Sequence, residues 1–138
     1  LSRESNNFLG IDFGRKKIGF AFAPEGILAT GLLILLNNKK TFSRIEELIR
    51  EYDIKIIVIG LPLNMNGTTS AATKNTFKFI SEIKKRFPFQ KIHIYDERMT
   101  SVEARKNIPS NLPDDAEAAR IILQGFLDKQ NLFRKQER

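Results

Sequence analysis

The chain has 138 residues, 41% hydrophobic and 28% charged, which suits one domain over 1–138 with a single core covered by helices. It contains no cysteine, which excludes disulfides, zinc–thiolate sites and thiol nucleophiles and fits a reducing, cytoplasmic setting. A net charge of +7 points to a polyanionic partner, nucleic acid first, against the plainer reading of a lysine-rich solvated surface.

Residues 1–7 are polar and charged and do not read as a secretory leader. The first apolar segment, Phe8–Phe13, turns at Gly14. Lys17–Ala23 alternates weakly and ends at Pro24, and Gly26 opens the run Ile27–Leu36. These predict three strands joined by short turns, hence an antiparallel meander. The run Ile27–Leu36 is interrupted by Thr30 and Gly31 and falls short of the ~20 residues a membrane helix needs. No membrane association is expected.

Phe42, Ile45, Leu48, Ile49 and Tyr52 recur at helical spacing, with Ser43 and Glu46 offering a capping box. Lys55–Gly60 is a β-branched run of the kind buried on both faces of a sheet. A loop over Leu61–Thr69 turns at Asn66-Gly67. A second helix carries Phe77, Ile80, Ile83 and Phe87 on one stripe and stops before Pro88. Lys91–Tyr95 is a further strand, Thr100–Asn107 a short helix and Pro109–Pro113 a loop. Asp114 to about Lys129 forms the last helix, burying Ala119, Ile122, Leu123 and Phe126. The order predicts an α/β fold: a five-stranded mixed sheet, meander first and parallel strands after, with right-handed crossovers and helices on its faces. In such sheets ligands sit beyond the carboxyl ends of the parallel strands. Three segments end there: Asp12-Phe13-Gly14, Gly60-Leu61-Pro62 and Asp96-Glu97-Arg98.

Asp12 ends an apolar strand, where a carboxylate is costly unless paired or bound to a cation; it is a metal ligand or the start of a turn. Asp96 and Glu97 are adjacent, so alternation lets only one face a shared site, and the pattern does not choose between them. Asp114 and Asp115 open the last helix, where acids serve as caps, but if Asp114 caps, Asp115 is left to project toward the strand ends. Three carboxylates at one edge suit Mg²⁺ or Mn²⁺, and two such ions ~4 Å apart can stabilise the attacking and leaving oxygens of a phosphodiester. Arg15, Lys16, Lys17 and Arg98 are candidates for phosphate contacts, or solvated turn residues. His93, the only histidine, sits inside a strand and reads as structural. Ser70 and Ser101 lack a base partner, and no P-loop occurs.

Four segments together resemble the YqgF (RuvX) family: Leu9–Gly19 (LGIDFGRKKIG), the loop Gly60–Thr68 (GLPLNMNGT), Asp96–Ala104 (DERMTSVEA) and Asp115–Leu123 (DAEAARIIL). They occur in the family's order and cover nearly the whole chain. The resemblance implies an RNase H-like domain related to Holliday junction resolvases. Family members are described as candidate nucleases in pre-16S rRNA 5′-end maturation. In the family pattern the acidic site residues fall on Asp12, Glu97 and Asp115. It thus implies a metal-dependent phosphodiester hydrolase using Mg²⁺ or Mn²⁺, with two ions, acting on precursor rRNA or branched DNA as a monomer or homodimer. One ion would generate the hydroxide and the other steady the leaving 3′-oxygen, giving a 5′-phosphate. The rival expectations are a junction-resolving DNA endonuclease and a ribosome-assembly protein that binds rRNA without turnover. Two departures stand out: Asn66 where the family loop often has aspartate, and a short segment between Glu103 and Asp115.

Overall fold

The computed structural model describes residues 5–99 and 114–136, the side chains of 114–115 and 133–136 excepted. Among these residues five strands and three helices follow one another: β1 (Asn7–Phe13), β2 (Lys17–Ala23), β3 (Thr30–Leu36), α1 (Thr41–Glu51), β4 (Ile54–Leu61), α2 (Ala71–Arg86), β5 (Lys91–Asp96) and α3 (Asp114–Gln136). The sheet order is β3-β2-β1-β4-β5. β1 pairs antiparallel with β2 and β2 with β3, whereas β1–β4 and β4–β5 are parallel. This is the mixed sheet expected from the short turns early in the chain and the strand–helix–strand units after them. The expected helix Thr100–Asn107 and loop Pro109–Pro113 lie outside the described residues.

Strand alternation sorts the core into two layers. On one face Leu9, Ile11, Ile18, Phe20, Ile57 and Ile59 pack with Ile45, Leu48, Phe79 and Ile83 of α1 and α2. On the other, Phe8, Ala21, Ala23, Val58 and Tyr95 pack with Ala119, Ile122, Leu123 and Leu127 of α3. In the second layer, small residues let the helix approach the strands closely. A Cβ added at Gly10 would lie 2.7 Å from Leu123 Cβ and 3.1 Å from the Ala119 carbonyl oxygen, so only glycine lets α3 rest this close to the sheet.

Four local expectations are corrected. The third strand begins at Thr30, not with the apolar run at Ile27. A 3₁₀ turn over Pro24–Gly26, with Glu25 and Gly26 at positive φ, carries the chain out of the sheet and leaves Ile27 and Leu28 exposed. No Ser43–Glu46 capping box forms. Instead the Ser43 hydroxyl donates to the Lys40 carbonyl, and Thr41 Oγ1, at the helix start, accepts from the Asn38 amide. On α2 the stripe is Thr73, Thr76, Ile80 and Ile83 flanked by Phe79, while Phe77 is 46% exposed. The reciprocal cap of α2 is made by Ser70 and Thr73, so Ser70 is a helix N-cap. On α3, Phe126 is partly buried and Leu127 fully so, and the helix continues past Lys129.

Candidate active site at the carboxyl edge of the sheet

Asp12 lies one position beyond the last β1–β4 pair, Ile11 with Ile59, and is therefore beside Gly60. Alternation puts Phe8, Gly10 and Asp12 on the α3 face, and the packing of Phe8 and Gly10 against α3 agrees. On β5 the same face receives His93, whose ring centroid is 5.0 Å from that of Phe126, and Tyr95, whose hydroxyl abuts Gly125. Glu97 follows at the next alternate position, in the short 3₁₀ turn Glu97–Met99. Its carboxylate reaches Gly60: a Cβ added there would sit 3.1 Å from Glu97 Oε2 and 2.5 Å from Ile122 Cδ1. Gly60 thus leaves a notch walled by a carboxylate and an isoleucine, beside Asp12. Asp12 and Glu97 are both half-buried and both have interaction partners.

Asp96 takes a different course. Arg98 Nε donates to both its carboxylate oxygens at 3.1 Å, Nη2 donates to Oδ2 at 2.7 Å, and the Arg98 amide donates to Oδ1 at 2.9 Å. The guanidinium beside it holds the Asp96 carboxyl below the usual carboxylate range, outweighing slight desolvation, and the same bonds raise the Arg98 pKa. The remaining Arg98 nitrogen, Nη1, faces Gly67, where an added Cβ would stand 3.3 Å away. Gly67, at φ +85°, closes the turn of the loop after β4. Its amide donates to the Asn64 carbonyl, and Asn66 Oδ1 accepts from the Thr68 amide and hydroxyl. Asn66 therefore makes the side-chain turn an aspartate would make.

Arg15, Lys16 and Lys17 form the exposed β1–β2 turn at the same edge. Asn37 pins that turn, donating from its amide to the Lys16 carbonyl and from Nδ2 to the Gly14 carbonyl. Asp115 lies in the first turn of α3, seven residues before Ile122, and its side chain is outside the described ones. Ile122 lies over Gly60 at the carboxyl end of β4, while Phe126 meets Phe8 at the amino end of β1. The amino end of α3 therefore runs toward the carboxyl edge. Among the described residues no three His, Cys, Asp or Glu side chains form a metal-holding group, a count that leaves Asp115 out.

The sequence places Gly60 and Asp96–Arg98 at this edge, but not the notch that Gly60 leaves or the choice of Asp96 over Glu97 as the partner of Arg98. A strand-end glycine reads as a breaker, and only knowledge of what packs above it shows why no side chain stands there. Among the described residues no helix is long and apolar enough to cross a membrane.

The sequence model of a family described as RuvX, Holliday junction resolvase, matches residues 6–129. A Thermoanaerobacter pseudethanolicus protein named as a candidate pre-16S rRNA nuclease is 37% identical over 134 residues, covering 88% of this chain and 96% of that one. A protein of the same name from Sulfurihydrogenibium is 39% identical over 133 residues, covering 90% and 91%. Among solved structures, Thermus thermophilus RuvC in complex with a Holliday junction aligns at a TM-score of 0.61 and 10% identity, over 91% of this chain and 95% of that one. The yeast mitochondrial Holliday junction resolvase Ydc2 aligns at 0.52 and 14%, over 96% and 85%. At such identities these two likenesses speak for the fold, which is the RuvC-like, RNase H-type sheet.

Proposed function

The chain belongs to the RuvX family, and from that premise we propose that it is a nuclease that hydrolyses nucleic-acid phosphodiesters with divalent cations held by Asp12, Glu97 and Asp115. The observation that carries this reading is the notch at Gly60 on the α3 face, which the Glu97 carboxylate and Ile122 wall and beside which Asp12 lies by strand register. The donor set is all oxygen, which fits Mg²⁺ or Mn²⁺ and not a soft metal. When bound, such ions supply positive charge to the attacking and leaving oxygens of the phosphodiester.

The chain's own residues have three tasks. Asp12, on a central strand with neighbours on both sides, gives a rigid anchor for the acidic centre. Asp96 is committed to Arg98, which leaves Glu97 as the carboxylate of that pair at the centre. The Arg15–Lys17 turn and Arg98 Nη1 stand at the rim, where they would hold the phosphate backbone. The substrate we infer is precursor 16S rRNA near its 5′ end, as the names of the relatives suggest; a four-way DNA junction is the second reading, favoured by the family description.

The test is cleavage of a precursor rRNA fragment and of a four-way junction, each with Mg²⁺ or Mn²⁺, by wild type and Asp12→Asn. Loss of at least about 100-fold in the variant is expected, since charge stabilisation at such a centre is worth several kcal/mol. Equal rates in variant and wild type would remove the acidic site, and the preferred substrate decides between the two readings.

A further inference from the structure

The opposite face of the sheet holds a cavity that the acidic centre does not use. It lies between the β1–β2 turn and helices α1 and α2 and has a volume of about 400 Å³, within the roughly 300–1,000 Å³ typical of small-ligand sites. Its apolar wall is a run of stacked rings: Phe13 and Phe79 at 4.3 Å between centroids, and Phe79 and Phe42 at 5.8 Å. Arg15 and Lys78 stand at its rim. Neither makes an ion pair or hydrogen bond among the described residues. The one lining acid, Glu82, is already neutralised by Arg86 at 3.3 Å and Lys85 at 3.9 Å. Arg86 itself lies over the Phe42 ring at 4.4 Å. The cavity therefore combines aromatic faces with two uncommitted cations, the combination that takes a nucleobase and its phosphate.

Its position gives it a role. Phe13 follows Asp12 directly, with its side chain on the other face, and Arg15 belongs to the turn between the two sites. A strand whose phosphate lay at Asp12 and that crossed the carboxyl edge over this turn would arrive at the cavity within a few nucleotides. We propose that the cavity seats one unpaired nucleotide of the substrate strand, its base against Phe13 and Phe42 and its phosphate on Arg15 and Lys78. A paired base cannot enter, because stacked and paired bases expose only their edges. The proposal deepens the nuclease reading and rests on it for the word substrate: it makes an unpaired segment next to the scissile bond part of what is recognised.

The experiment measures binding without turnover. Fluorescent single-stranded eight-nucleotide RNA, a blunt duplex of the same length and a free mononucleotide are titrated in EDTA against the full chain and its variants. Phe42→Ala should weaken the single strand at least about fivefold, and Lys78→Ala should lower the slope of log K against log salt by roughly 0.7. Both should leave the duplex unchanged, as should Lys91→Ala, at the opposite edge, for either ligand. Phe42 packs on the core, so the exposed Lys78 keeps the test sound if Phe42→Ala fails to fold. Equal losses for strand and duplex, no loss in either variant, or a mononucleotide binding as tightly as the strand would each overturn the proposal. If the binding pattern holds but no cleavage is found with any metal, the nuclease reading fails and the nucleotide subsite stands.

Discussion

The two faces of the sheet are built on opposite principles. The α1/α2 face is thick with large aliphatic and aromatic side chains, and Leu9, Ile11, Ile18, Phe20, Ile57 and Ile59 are fully buried there. The α3 face is thin: Gly10, Ala21, Ala23 and Gly60 keep the helix against the strands. A thick layer tolerates small shifts by repacking. A thin one fixes the height of α3 over the sheet, and with it the seat of Ile122 over Gly60 beside the Glu97 carboxylate. Stability is thus concentrated on one face and positional precision on the other.

That contrast can be broken most forcefully at Ile57. Ile57→Ala empties a site that is 0% exposed and should cost about 2–5 kcal/mol. At roughly 3–4 °C per kcal/mol for a chain of this size, the thermal midpoint should fall by about 6–20 °C. Cleavage per folded molecule should hold near wild type at 20 °C. A specific activity that falls in step with the midpoint would show that the two faces are not separable.

Asp12→Asn should do the reverse, removing cleavage by the factor given above while moving the thermal midpoint little. Between these extremes lies Gly10→Ala. Its added methyl meets Leu123 and the Ala119 carbonyl, backbone that cannot swing aside. Overpacking of this kind costs about 1–3 kcal/mol. Because α3 must rise off the sheet to accept it, cleavage should fall further than the same loss of stability brings in the thick core. Comparing activity at matched stability, Gly10→Ala against Ile59→Val, reads this directly. If the two variants lie on one line, α3 height does not control the site.

The sequence carried the succession of strands and helices well, because period-two and period-3.6 patterns are set by burial, which the fold preserves. It misplaced the start of β3, because Ile27 and Leu28 are apolar yet exposed after a left-handed turn at Glu25 and Gly26. Alternation sets Asp96 with Ile92 and Ile94 and Glu97 opposite only if strand pairing reaches that far, which the sequence does not show. What it lacked was which helix covers which side of the sheet, and so which of the two carboxylates faces α3. The family resemblance implied Glu97; the structure places its carboxylate against Gly60. The role of Gly60 and Gly10 was invisible for the same reason: a glycine in a strand says that space is short, not what occupies it.

The smallest expected effect lies in the Asp96–Arg98 fork, which spans the turn that carries Glu97. In Asp96→Asn the fork loses its charge, so Arg98 is held less firmly against the Asn64–Thr68 loop. The folded-state pKa of Asp96 is depressed below 3.8 by the Arg98 hydrogen bonds. Its contribution to stability is therefore complete above the unfolded value and is lost as pH falls through the folded one. With the two side chains 33% and 31% exposed, that contribution is modest. Urea unfolding of wild type and Asp96→Asn at pH 7, 5 and 3 should show a small gap at pH 7 and 5 that narrows by pH 3, since the variant has no such proton to bind. A gap unchanged at pH 3 would mean that the fork acts through shape and not charge, and the turn bearing Glu97 would then be held by its backbone alone.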